Sequence, residues 1–202
     1  MVSARRLLVW VAMSTLVAST APAQTPKPTV TISVVATTDL HGAVLPRGDR
    51  GGVAMLGGYL RNLRAARSRD GGGVLLVDSG DLFQGTLESN LNEGAAVIRV
   101  YNRLGYQAAA IGNHEFDFGP PGPEATARRP GEDPRGALKA RTREARFPFL
   151  AANVIDEATG RPLALPNVRP SVLVTVAGVR IGLVGVTTSA TLETTIADNV
   201  RE

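Results

Sequence analysis

Ala110-Ile111-Gly112-Asn113-His114-Glu115-Phe116-Asp117 sets an amide, an imidazole and two carboxylates directly behind a short apolar run. Two earlier stretches have the same form. Thr38-Asp39-Leu40-His41-Gly42 follows residues 30–37, and Asp78-Ser79-Gly80-Asp81 follows residues 74–77. Residues 30–37 alternate apolar and polar, with Val30, Ile32, Val34 and Ala36 on one face, which is strand spacing. Residues 74–77 are an unbroken apolar run, as expected of a strand buried on both faces. Residues 108–111 make a third strand ahead of the quoted stretch.

Helical spacing fills the intervals. Val53, Leu56, Leu60 and Leu63 recur at three- and four-residue steps, with Arg61, Arg64 and Arg67 towards the solvated side. A second helix spans residues 93–104, with Ala96, Val97, Val100, Tyr101 and Leu104 inward and Gly105 in the position of a C-terminal capping glycine. Asp39, Asp81 and Asn113 stand 42 and 32 residues apart, enough in each case for one crossover helix. The order strand, helix, strand, helix, strand therefore predicts an α/β fold with parallel strands. Ligands in such sheets bind beyond the carboxyl ends of the strands, so the three polar stretches are expected to converge.

Further along, residues 119–136 hold five prolines and four glycines and resist regular structure. Asp133-Pro134 is expected to cap a helix running to about Arg146. Residues 149–154 read as another strand, and residues 171–176 and 179–186 as a hairpin around Ala177-Gly178.

The chain has 202 residues, which suits one domain. It has no cysteine, which excludes disulfides and thiolate metal sites. Arg5-Arg6, an apolar run over residues 7–17 and Ala21-Pro22-Ala23 form an export signal over residues 1–23, followed by a leader at 24–28. The apolar run is short of the ~20 residues that span a bilayer, so no membrane anchor is expected after cleavage. Residues 1–23 carry two arginines and no acids, which leaves 20 basic and 18 acidic side chains. A net charge of +2 is too even to imply a nucleic-acid polymer as partner.

The polar stretches carry the chemistry. In an extended segment Asp39 and His41, two apart, point the same way and can share one cation. Asp81 adds a carboxylate able to bridge two cations, and Asn113 a neutral amide oxygen. Such a set suits Mg, Mn or Zn. Two cations close together acidify a water and clamp the oxygens of a phosphate ester. His114, oriented by Asp117, fits a proton donor or charge stabiliser. Asp78 is either a cap or a group supporting the ligands from behind.

The three stretches, read as Thr38-Asp39-Leu40-His41-Gly42, Asp78-Ser79-Gly80-Asp81-Leu82-Phe83-Gln84-Gly85 and Gly112-Asn113-His114-Glu115-Phe116-Asp117-Phe118-Gly119, resemble the exported 5′-nucleotidases of the calcineurin-like metallophosphoesterase superfamily. The likeness covers about residues 29–188. It implies a four-layer α/β/β/α sandwich and a two-metal centre ligated by Asp39, His41, Asp81 and Asn113, with Asp81 bridging. It also implies that His114, paired with Asp117, acts on the phosphate or leaving group. The implied substrate is a small phosphoester, above all a nucleotide, met in the periplasm or outside the cell. Relatives acting on 2′,3′-cyclic nucleotides or on a thiosulfonate share these motifs. The family pattern continues with two further histidine motifs and a nucleotide-gripping domain, whereas His41 and His114 are the only histidines here. Residues 29–202 are therefore expected to be the amino-terminal portion of a catalytic domain, inactive as it stands. The alternative of another class is a non-catalytic domain that binds phosphate or a metal.

Overall fold

The computed structural model describes residues 29–201, and the expected signal (1–23) and leader (24–28) lie outside them. In chain order the elements are β1 (Ile32–Thr37), α1 (Gly52–Arg69), β2 (Gly73–Asp78), α2 (Leu87–Asn90), α3 (Ala95–Leu104), β3 (Ala108–Ala110), a 3-10 turn (His114–Phe116) and α4 (Gly136–Glu144). There follow β4 (Phe149–Leu150), β5 (Ile155–Asp156), β6 (Arg161–Pro162), β7 (Val168–Arg169), β8 (Ser171–Val176), β9 (Val179–Val184), α5 (Thr191–Thr194) and α6 (Asp198–Arg201).

β1, β2, β3, β4 and β7 pair in that order as one parallel sheet. Spatial order equals chain order, so every right-handed crossover steps the same way and delivers its helix to the same face. α1, α3 and α4 accordingly form one layer, α1 touching α3 and α3 touching α4. Between helices and sheet lie Leu60, Leu76, Val97, Ile98, Tyr101, Leu138, Phe147 and Phe149, all essentially without solvent contact. Burying each such side chain stabilises the fold by about 1.5–3 kcal/mol.

The other face of the sheet receives the β8–β9 hairpin. Ala177 (φ +48°) and Gly178 (φ +79°) both take the left-handed conformation that a two-residue hairpin turn demands. Two glycines let the layers touch. A Cβ on Gly73 would come 2.4 Å from Val176, and one on Gly185 2.4 Å from Leu150. Helices, parallel sheet and hairpin are thus successive layers of an α/β/β/α arrangement, with the second sheet represented by this one hairpin among the described residues.

Several local expectations are corrected. β1 turns Val35 towards the helices, while Val30 and Val34 are 45% and 63% exposed on the opposite face. The alternation is real but points the other way, because β1 is the sheet edge and the hairpin covers β2 instead. α4 starts two residues after Pro134, with no side chain capping it; Asp133 instead accepts from the Arg135 N–H at 3.0 Å. β4 ends at Leu150 rather than reaching Val154, and the short α2 has no counterpart in the sequence reading. The α3 terminus is as expected: Gly105 is left-handed and its N–H bonds the Tyr101 carbonyl.

At the carboxyl ends of β1 and β2 the core becomes polar. The Asp78 carboxylate accepts from the hydroxyls of Thr37 (2.5 Å) and Tyr101 (2.7 Å) and from the Gly80 N–H (2.8 Å). Tyr106 stacks on Tyr101 with ring centroids 3.7 Å apart and reaches the Thr37 hydroxyl at 2.8 Å. Burial pushes the Asp78 carboxyl above its ordinary range against the pull of these donors. Asp78→Ala would leave buried hydroxyls and an N–H without their acceptor. It is expected to cost about 2–4 kcal/mol of stability in urea unfolding, against about 1 kcal/mol for Tyr101→Phe, which removes a single hydrogen bond.

Candidate metal centre

β1 and β2 go on pairing beyond their last strand residues. Ser79 N–H donates to the Thr37 carbonyl (2.9 Å), Asp39 N–H to Gly80 (3.1 Å), His41 N–H to Asp81 (3.0 Å) and Gly42 N–H to Leu82 (2.8 Å). Within this zipped pair Asp39, His41 and Asp81 have φ of +51°, +47° and +59°. Left-handed backbone at a non-glycine residue costs of order 1–3 kcal/mol and persists only where the surroundings enforce it. Asp39 and His41 therefore do not approach each other through an extended pleat, as the spacing suggested. Two left-handed residues turn them together, with His41 Nε2 4.0 Å from Asp39 Oδ1.

The third stretch packs against the second through glycine. A Cβ on Gly80 would stand 2.7 Å from the Gly112 nitrogen, and one on Gly112 would stand 2.2 Å from Asp81 Oδ1. No side chain fits at either position. This contact brings His114 in: its backbone N–H donates to Asp81 Oδ1 at 3.0 Å. Ligand atoms of His41, Asp81 and His114 consequently lie within 4.8 Å of one another. Asp39 adjoins this group through His41 and is the most solvent-exposed member. Asn113 donates its amide N–H to the Thr194 carbonyl at 3.1 Å, which leaves its amide oxygen available to a cation. Asp78 stands behind the group, fixing the Gly80 turn that presents Asp81.

The donor chemistry fits a divalent cation. His41 Nδ1 faces the Gln84 carbonyl at 2.8 Å, so Nδ1 carries the proton and Nε2 keeps its lone pair. Carboxylate, amide and imidazole without thiolate suit a hard or borderline ion. His114 Nδ1 meets Asp117 Oδ2 at 2.5 Å. Partial burial pulls the His114 imidazole down, but the Asp117 hydrogen bond and charge, with Asp81 and Glu115 behind them, leave it above its ordinary value.

Sequence reasoning assigned no role to Glu115. Its fully buried carboxylate accepts three main-chain N–H bonds, from Asp81 (2.9 Å), Leu82 (2.6 Å) and Gly112 (2.7 Å). Burial pushes its carboxyl up to about 7, the three N–H donors pulling the other way and the Asp81 charge adding to the rise. No local signal marks it, since in the sequence it stands among Asn113, His114 and Asp117 as one polar residue of several. A cavity of about 650 Å³ lies beyond Phe116 between Asn153, Thr188, Leu192 and Arg135, and it is lined by none of the expected ligands. The cation group sits instead at the strand ends, where the His41 and Asp39 side chains reach solvent.

No family model matches the chain. It is 33% identical to Protein UshA of Salmonella pullorum over 165 residues, 81% of this chain and 26% of that protein. It is 32% identical to the 5′-nucleotidase of Vibrio cholerae over 177 residues, 86% of this chain and 28% of that protein. Among solved structures, the 5′-nucleotidase precursor of Thermus thermophilus superimposes with a TM-score of 0.61 at 33% identity, covering 79% of this chain and 29% of that one. The chain thus spans about a quarter of the length of the relatives it matches.

Two outcomes follow from this geometry. Glu115→Gln keeps the shape but turns an NH2 group towards at least one of the three donors, and is expected to lower stability in urea unfolding by about 1–3 kcal/mol. For His114 the folded value is raised, so its pairing with Asp117 stabilises the metal-free chain fully below the ordinary value of 6.5. That contribution is lost as pH rises through the raised value. The stability difference between the parent and Asp117→Asn should accordingly shrink across that window, which unfolding midpoints at a series of pH values will read.

Proposed function

The chain belongs to the 5′-nucleotidase family of metallophosphoesterases, and from that premise we propose that it serves the metal-dependent hydrolysis of a small phosphoester, most simply a nucleoside monophosphate. The observation that carries the reading is the convergence of His41, Asp81 and His114 at the ends of three neighbouring strands. Asp39, His41, Asp81 and Asn113 are the residues that would hold the divalent ions. When bound, the ions supply an acidified water and a positive clamp for the phosphoryl oxygens.

The chain's own groups do the rest. Asp117 accepts from His114 Nδ1 and so fixes which edge of the ring faces the cleft. The hydrogen bond and charge of Asp117 favour the protonated ring. Its Nε2–H then donates to the leaving-group oxygen, or to the charge developing on the phosphoryl group, as the ester bond breaks. Glu115 holds the loops of Asp81 and Gly112 at fixed separation, so that the carboxylate and the imidazole meet the substrate without rearrangement. Residues 1–23, read as an export signal, would put this chemistry in the periplasm or outside the cell.

Phosphate release from nucleoside monophosphates by the full-length protein, measured with and without exhaustive chelation, is the test. Release is expected only with Mn, Zn or Mg present, and restored when the metal is added back. Activity indifferent to chelation would overturn the reading. His114→Asn is expected to lower turnover at least about hundredfold while bound metal is retained. Loss of metal in that variant would make His114 a ligand instead of a proton donor.

A further inference from the structure

After β9 the chain returns beneath the third polar stretch. The Thr187 hydroxyl donates to the Ile111 carbonyl at 2.6 Å. Asn153 clasps Thr187 from both sides, donating to its carbonyl (2.7 Å) and accepting from its N–H (2.8 Å). The Thr194 carbonyl accepts from the Asn113 amide at 3.1 Å, and the buried Asn199 amide donates to the Phe116 carbonyl at 2.9 Å. One returning segment therefore holds residues 111–117 at several points along their length.

Most of these bonds end on main-chain carbonyls and fix a backbone path. One does not. The Thr195 hydroxyl donates to Asp117 Oδ1 at 2.6 Å, while the other oxygen of the same carboxylate meets His114 Nδ1. A carboxylate held at one oxygen can rotate about its Cβ–Cγ bond and let its partner swing. Held at both oxygens, it cannot. The Asp117 side chain is only 13% exposed, so water is poorly placed to replace a lost hydroxyl.

We propose that Thr195 is a positioning residue for His114, acting through Asp117: its hydroxyl locks the carboxylate that holds the Nδ1–H of the ring, both in the imidazolium and in the neutral ring left after Nε2 gives up its proton. The proposal rests on the hydrolytic reading of the site for its effect on turnover, but not for its effect on the ring. Partners of this kind change activity by about ten- to hundredfold when removed.

The test uses the 202-residue chain with Thr195→Val, which keeps the shape and loses the hydroxyl, and Thr195→Ser, which keeps the hydroxyl. With only two histidines, nitrogen-15 NMR of the metal-free chain has only the His41 ring to distinguish from His114. Expected, at a pH where the ring is neutral, are an Nδ1–H tautomer at His114 in the parent, a tautomer mixture in Thr195→Val and recovery in Thr195→Ser. In phosphate release by the full-length protein, Thr195→Val should lower kcat about tenfold with KM and bound metal unchanged, and Thr195→Ser should restore it. Identical His114 spectra in the parent and Thr195→Val, or a serine variant as impaired as the valine variant, would overturn the proposal. A full-length parent without turnover would overturn the hydrolytic reading, and the NMR comparison on the 202-residue chain would still decide the role of Thr195.

Discussion

The centre depends on one buried carboxylate. Glu115 takes N–H groups from two different loops, at Asp81 and Leu82 on one side and Gly112 on the other. Each loop end would otherwise hold an unpaired donor in a water-free place, at a penalty of about 1–3 kcal/mol apiece. By satisfying all three at once, Glu115 makes the separation of the second and third strand ends a fixed quantity. It is also the immediate chain neighbour of His114, so the same anchor that ties the loops together locates the imidazole.

That anchorage explains how the backbone tolerates its own geometry. Asp39, His41 and Asp81 are all left-handed, and each gains a compensating hydrogen bond. Asp39 and His41 donate to the facing loop, and the Asp81 N–H is taken by Glu115. The close passage at Gly80 and Gly112 removes the last freedom, since neither position has room for a Cβ. Strain of this kind collects where side chains must be aimed at a ligand rather than packed into a core. The electrostatics agree: Asp39, Asp81, Glu115 and Asp117 crowd two imidazoles, and the Asp81 charge is one of the causes that push Glu115 upward. A bound cation would relieve that repulsion.

The sheet order decides where this assembly can sit. With β1 to β4 laid down in sequence, the crossover helices occupy one face and leave the other to the hairpin. All strand ends that carry polar residues then point to one edge, and the third of them is braced by residues 187–199 arriving from the hairpin. The parallel sheet and the hairpin are thus joined through the site itself as well as through their apolar contact at Gly73 and Val176.

Residue order alone prescribes the parallel α/β arrangement and the hairpin turn at Ala177-Gly178, and it offers Asp39, His41, Asp81, Asn113, His114 and Asp117 as candidates for the site. These are legible because apolar periodicity and short polar motifs are properties of neighbouring residues. Residue order does not disclose which side of β1 is covered, because that depends on where a hairpin more than 130 positions later comes to rest. Nor does it disclose that Asp39 and His41 meet through left-handed backbone, since a two-residue spacing fits that geometry as well as a pleat. The roles of Glu115 and Thr195 emerge only in three dimensions. Their partners are 34 and 78 residues away, and a hydrogen bond of such span leaves no periodic trace in the chain. Local patterns say which groups are available; packing decides which two of them come within bonding distance.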